Sequence, residues 1–447
     1  MEKQKDHFSK EYFLFICYTL IICVLICLFH SINFSFSVYN FRLISGGFFI
    51  ERILDFFYGI PLFQKIKSPD DPGYIILYAL SAFFSGDKKV LVSYDPHGFP
   101  FLLKIFYFLV QIFSFRFLIF TSNRIINLRV KIFVLLFSIL PTPLAVFLGY
   151  DVYVFPVYAF IVSLYLLGEF IEVRLSISKL ICISFFIGIC EVMRKWSIFP
   201  FYVFLVIIFL KKSLNLKEKI KILMICLSVS LLPKIPGKFL FQAQGHTIWH
   251  PIHAGLFEFG GCVDKKGDIF PFFAYENNQV EKLPEMKCEY RWNDLIQYHI
   301  GSINNLTDHT SLEYESLLKN QVTDFIKKHS WEVSSLIFMR SVNALSFLPF
   351  KSHNRHGHYS NISISFFLEA MFFIFIFFLW LKDKRELIPK FFILLSFGMS
   401  LAPSLLVHSQ HVIYNYPVNF IQVLIIGMFF DSICQNYLCR TKLGSEI

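Results

Sequence analysis

Several groups of side chains in this sequence have the types and spacing that bond-making chemistry requires. The first is the pair Asp70 and Asp71 in "SPDDPGYIILYALSAFFSG" (68–86), followed by Tyr74 and a short amphipathic helix. A carboxylate there can take a proton from an attacking hydroxyl. Two adjacent carboxylates also repel, which raises one pKa and makes that group a better base. The same letters suit helix capping, since Asp before Pro-Gly-Tyr is a good N-terminal cap. The second group is "GICEVMRKWSIFPF" (188–201), with Glu191, Arg194 and Lys195 at the end of an apolar run. Glu191 and Arg194 fall on one helix face at i, i+3. A guanidinium matches phosphate geometry, so Arg194 suits a lipid-linked phosphate. A snorkelling interfacial pair is the plainer account.

Histidines supply the rest. "SYDPHGFP" (93–100) sets His97 between Pro96 and Gly98, just before a long apolar run, as an acyltransferase base would sit. "GHTIWHPIHAGLFEFGG" (245–261) offers His246, His250 and His253 at i, i+4 and i+7. That spacing is compatible with zinc, but Pro251 is expected to interrupt the helix, and no Cys or well-placed carboxylate completes a set. Substrate contacts or ordinary loop structure fit better. "KSHNRHGHYS" (351–360) carries Arg355 in a basic run suited to anionic headgroups or a donor phosphate, or simply to a solvated linker. In "HSQHVIYNYP" (408–417), His408, His411, Tyr414 and Tyr416 could line a cavity. Tyr also gathers at membrane interfaces for purely physical reasons.

The elements that must position these groups are apolar helices. The chain has 447 residues, 55% of them hydrophobic, including 58 Phe. Soluble domains are nearer about 45–50% apolar. Ten apolar windows approach the roughly 20 residues needed to cross a bilayer. They lie near 12–34, 99–115, 125–142, 153–171, 177–193, 197–210, 220–236, 361–381, 390–408 and 412–433, the third and sixth being the weakest. The reading is an all-α polytopic membrane protein of about ten spans. The net charge of +10 then reflects cytoplasmic loops rather than nucleic acid. Lys3, Lys5, Lys10, "KKSLNLKEKIK" (211–221), "KDKREL" (382–387), Arg440 and Lys442 all fall on one side if both termini are cytoplasmic. "EYFLFICYTLIICVLICLF" is too long for a cleavable signal and reads as a first span that stays.

This threading gives an N-terminal transmembrane module (1–236), an extracytoplasmic region (237–360) and C-terminal transmembrane helices (361–447). The segment 35–98 and the region 237–360 face outward. Within the latter, 311–350 reads as an amphipathic helix and then a more apolar one lying along the interface. Twelve of the 14 His fall in outward segments or at outer helix ends, so chemistry is expected on the outer face. Of the ten Cys, only Cys262 and Cys288 sit in the large polar region. An outward location would leave them open to disulfide formation.

The order of these features resembles the GT-C superfamily of membrane glycosyltransferases, especially bacterial enzymes of the protein mannosyltransferase and aminoarabinose transferase type. In that family an acidic loop, Asp-Glu or Asp-Asp, leads into a Tyr-rich helix, as Asp70, Asp71 and Tyr74 do here. A Pro-Pro-Gly-Tyr-Pro-like turn opens the second span, where "DPHGFPFLLKIFYFL" has Pro96, Gly98, Phe99 and Pro100. A Leu-Thr-Arg-Pro-like motif caps a later helix, with "VMRKWSIFP" as its counterpart, and "YNYPVNFIQVLI" falls in the last span. The likeness covers about 68–210. Asp71 stands where Glu is common, and Arg194 is followed by Lys195 rather than Pro.

The resemblance implies an inverting transferase in a bacterial inner membrane, with a polyprenyl-phosphate sugar as donor and a lipid, glycan or protein as acceptor. Asp70 or Asp71 would be the base. Arg194, with Lys195 or Arg355, would neutralise the departing phosphate, and Tyr74, His97, His250 and Tyr414 would contact substrate. The resemblance fixes no cofactor and leaves a divalent metal possible. Some relatives use a divalent metal, but no ligand set is legible here. Three other classes have some purchase. An acyltransferase would use His97, although such enzymes have few spans. An O-antigen polymerase or ligase would share the many spans and large outward loop. A transporter would want charge at mid-membrane depth, where Glu369 stands.

Overall fold

The computed structural model describes residues 2–31, 53, 72–85, 101–139, 154–172, 175–212, 214–240, 249–256, 261–263, 269–271, 287–289, 304–306, 311–346, 364–382, 387–406 and 412–444. The chain is helical and divides into two compact units. One comprises 1–242, 374–399 and 416–447; the other comprises 243–373 and 400–415.

In the first unit the helices are α1 (Glu2–Ser31), α2 (Pro72–Ser85), α3 (Phe101–Ile119), α4 (Leu128–Ser138), α5 (Phe155–Ile171), α6 (Ile177–Met193), α7 (Phe199–Leu210), α8 (Leu216–Leu231) and α9 (Ile235–Leu240). Short 3-10 turns at Lys195–Ile198 and Leu232–Lys234 join α6 to α7 and α8 to α9. Local sequence sets several starts. Asn127 accepts from the Val130 amide at 3.0 Å to open α4, and Ser176 caps α6 through the Lys179 amide. Asn215 and Glu218 form a reciprocal capping box on α8. The centre is α5, apolar and buried nearly all round. Phe160 on α5 stacks on Phe392 at 5.7 Å and meets Phe420 edge-on at 6.2 Å.

Polar contacts in this unit gather at two levels. At the first, fully buried Lys131 pairs with Glu11 at 2.8 Å and donates to Asn123 Oδ1 at 3.0 Å. Ser122 bonds Glu172, Lys179 at the start of α6 pairs with Glu169, and Lys211 donates to the Phe170 carbonyl at 3.0 Å. At the second, the C-terminal end of α6 meets α2 and the 232–234 turn. On α6 the levels are marked by Lys179 and Glu191, so at 1.5 Å per residue they are about 18 Å apart along it.

In the second unit, α10 (Trp249–Leu256) packs with α11 (Leu312–Lys328) and α12 (Ser330–Leu345). Their shared core is Leu256, Val322, Phe325, Val333 and Leu336, flanked by Trp249, Ile252 and Leu317. Ser311 caps α11, with acids in its first turn and Lys327 and Lys328 in its last, matching the helix dipole. The expected pair of helices in 311–350 is therefore present. Three short strands complete the unit: β1 (Gly261–Val263), β2 (Ile269–Pro271) and β3 (Lys287–Glu289). They form an antiparallel sheet in the order β2-β1-β3. An all-α reading left this sheet out, because three-residue strands give too few alternations to register as a period-2 pattern. The remaining helices are α13 (Ile364–Lys382), α14 (Leu387–Leu406) and α15 (Val412–Gly444).

A helix occupies each of the ten apolar windows. The third and sixth hold the shortest, α4 with 11 residues and α7 with 12, against about 20 for a crossing. Among the described residues two runs, Leu216–Leu240 and Tyr416–Gln435, are long and apolar enough to cross a membrane by length and composition. That is two runs, against the ten crossings expected from hydropathy.

Candidate functional site

The second level of the first unit is where the sequence's chemical groups begin to converge. Helix α2 opens at Pro72, the residue after Asp71. Its Gly73 lies against Val192 of α6 so closely that a Cβ would fall 2.7 Å from Val192 Cγ1 and 2.8 Å from its carbonyl carbon and oxygen. Only a residue without a side chain allows this backbone approach. Two residues beyond Val192, α6 stops. Arg194 leaves the helix in an extended conformation, with φ −153° and ψ 116°, and its guanidinium lies 4.9 Å from the Trp196 ring centre. That distance allows a cation–π contact, and it holds the arginine at the α6–α7 junction. Lys195 is exposed and opens the 3-10 turn. Pro200 then starts α7 in its first turn, where a missing amide costs nothing.

Glu191 and Arg194 were expected on one helical face. The structure corrects this: Arg194 is already outside the helix, and Glu191 forms an ion pair with Lys234 in the 232–234 turn. Gly188 fixes that contact, since a Cβ there would lie 2.3 Å from the Ser230 carbonyl oxygen and 3.0 Å from the Pro233 ring. Lys234 is the residue that sequence reasoning missed. Its signal was present, because "LLPKIPGK" (231–238) puts two lysines at the end of an apolar window opposite the basic loops. The α6 end thus carries the Glu191–Lys234 ion pair and, just beyond it, Arg194 and Lys195, and a guanidinium such as that of Arg194 matches phosphate geometry.

Asp70, Asp71, His97 and Arg355 lie outside the described residues, as do His246, His408 and His411. Tyr74 is on α2, and Tyr414 is in the first turn of α15. His250 belongs to the second unit. Pro251 does not interrupt its helix, contrary to expectation. It occupies the first turn of α10, where proline's fixed φ suits helix initiation. His250 faces Tyr314 of α11, with ring centres 6.3 Å apart. His253 is fully buried. Burial, helped by His250 and opposed by a hydrogen bond with Gln321, pushes its pKa down to about 3, so it is neutral across the ordinary pH range. Arg340, also buried, donates to the Leu405 carbonyl at 2.9 Å and to the Gly255 carbonyl. Both carbonyls belong to last turns of helices, where acceptors lack internal partners. No group of three metal-ligating side chains occurs among the described residues.

No family model, curated protein or solved structure matches the chain.

Proposed function

We propose that the protein is a membrane-embedded glycosyltransferase of the GT-C kind. It would move a sugar from a polyprenyl-phosphate donor to a lipid, glycan or protein acceptor on the outer face of a bacterial inner membrane. The observation that carries this reading is the contact of Gly73 with Val192. It sets the start of α2, the helix that follows Asp70 and Asp71 in sequence, against the end of α6 next to Arg194, which supports a shared role for the proton acceptor and the phosphate ligand.

The threading has its own support. The apolar run Leu216–Leu240 has only 11% of its span window buried inside the protein. Leu216, Ile220, Met224 and Leu231 on α8 are exposed, as are Leu368, Met371, Phe372, Phe375 and Phe378 on α13. Water penalises such surface at about 25 cal/mol per Å², whereas lipid does not. The two polar levels also agree with the threading. Glu11, Ser122, Lys131, Glu172 and Lys211 fall at expected cytoplasmic ends, and Gly73, Glu191, Arg194 and Lys234 fall at expected outer ends.

The chemistry follows from these roles. Asp70 or Asp71 takes the proton of the acceptor hydroxyl. The oxygen bonds to the anomeric carbon as the bond from that carbon to the phosphate oxygen breaks, inverting the centre. The phosphate leaves with the electron pair. Arg194 and Lys195 offset its developing charge, an electrostatic contribution preorganised by the α6–α7 junction.

The test is reconstitution of purified protein in vesicles with polyprenyl-phosphate hexose, pentose and aminosugar donors. Transfer to an acceptor, with release of polyprenyl phosphate, is expected for one donor. Movement of the intact lipid-linked sugar across the bilayer without transfer would replace this reading with a transporter.

A further inference from the structure

The strand register brings together the two cysteines of the large polar region. Strands β1 and β3 pair antiparallel, and Cys262 is directly opposite Cys288. Gly261 and Val263 pair on either side with Glu289 and Lys287, so the cysteines form the middle rung. Directly opposed residues in an antiparallel pair have Cα atoms about 4.5–5.5 Å apart. A disulfide needs about 4.4–6.8 Å, so the Cα spacing of either type of rung falls within its range. The described cysteines elsewhere (Cys17, Cys23, Cys182, Cys190, Cys226 and Cys434) are free thiols on helices.

We propose that Cys262 and Cys288 form a disulfide that staples β3 to the central strand β1. The bond rests on the outward location of 237–360 assumed by the functional reading, because a disulfide persists in an oxidising compartment. It forms by exchange with an oxidised dithiol protein of that compartment. One cysteine thiolate attacks the donor disulfide and gives a mixed disulfide, releasing one donor thiolate. The second cysteine thiolate displaces the other donor sulfur. The pair loses two protons and two electrons, and the donor ends as a dithiol. The cross-link also answers a physical need. Three strands of three residues are a marginal ladder, and the staple restricts the open states of the segment between them.

The experiment uses full-length protein in intact cells. Free thiols are blocked with a membrane-impermeant maleimide, applied before or after permeabilisation, and the protein is then digested with trypsin without reduction. Cleavage after Lys238, Lys265, Lys287 and Arg291 separates the two cysteines into peptides 239–265 and 288–291. The proposal expects these peptides as one cross-linked species that splits on reduction, with neither cysteine blocked. In Cys288→Ser protein, Cys262 should become fully labelled without reduction. Both cysteines labelled in intact cells would overturn the pairing and leave the outward location standing. Both labelled only after permeabilisation would overturn the pairing and the outward location together.

Discussion

At the residue scale the account turns on a glycine and a histidine. Gly73 has no room for a side chain because Val192's backbone is 2.8 Å from where a Cβ would sit. Gly73→Val should therefore push α2 away from Arg194. A displacement of about 1 Å can cost roughly 100-fold in rate, and a loss of that order is expected with protein abundance unchanged. Full activity in the variant would show that the α2–α6 contact does not position the site. His253 makes a pH prediction. Its folded pKa of about 3 lies below the ordinary value of 6.5, so the unfolded chain binds a proton that the folded chain refuses. The stability it contributes is present above pH 6.5 and lost as pH falls toward 3. The slope approaches about 1.4 kcal/mol per pH unit within that window. Hydrogen exchange of the α10 amides across pH 4–7 should show the loss, and His253→Gln should flatten it. An unchanged slope in that variant would assign the titration elsewhere. The sequence made Arg194 visible, because a cation ending an apolar run stands out. It did not pair Glu191 with Lys234, since their partnership depends on how α6 and α8 cross at Gly188 and Ser230.

At the element scale, helices were legible and short strands were not. Each apolar window holds a helix because runs of Leu, Ile and Phe declare themselves over many residues, and Ser or Asn marks several starts. Pro251 misled because proline breaks a helix interior but is welcome in a first turn. The sheet carries too little periodicity to be read, yet its register decides the fate of two cysteines. Reduction of the proposed Cys262–Cys288 bond should cost about 3.5 kcal/mol for a loop of this length, measured as faster exchange across the second unit. The contact between α1 and α4 gives a second check. Lys131→Met leaves the Glu11 carboxylate without its lysine and should cost about 3–5 kcal/mol. The double variant Lys131→Met, Glu11→Gln should recover much of that loss. Equal destabilisation of the single and double variants, read by unfolding in detergent, would rule out a charge effect.

At the scale of the whole molecule, composition and loop charge predict the threading. The two polar levels of the first unit lie toward opposite ends of α6, and apolar side chains of α8 and α13 are exposed. What the sequence could not supply was the convergence of α2, α6 and the 232–234 turn. That convergence joins residues more than 100 positions apart through tertiary packing. The central claim is that Asp70 or Asp71 removes the acceptor's proton beside this cationic end. It is tested most directly by mass spectrometry of envelope glycans and lipids from cells lacking the protein, complemented with wild type, Asp70→Asn or Asp71→Asn. The account predicts that deletion removes one sugar-sized increment, that wild type restores it, and that at least one Asn variant does not. Full restoration by both variants, or an envelope unchanged by deletion, would contradict it.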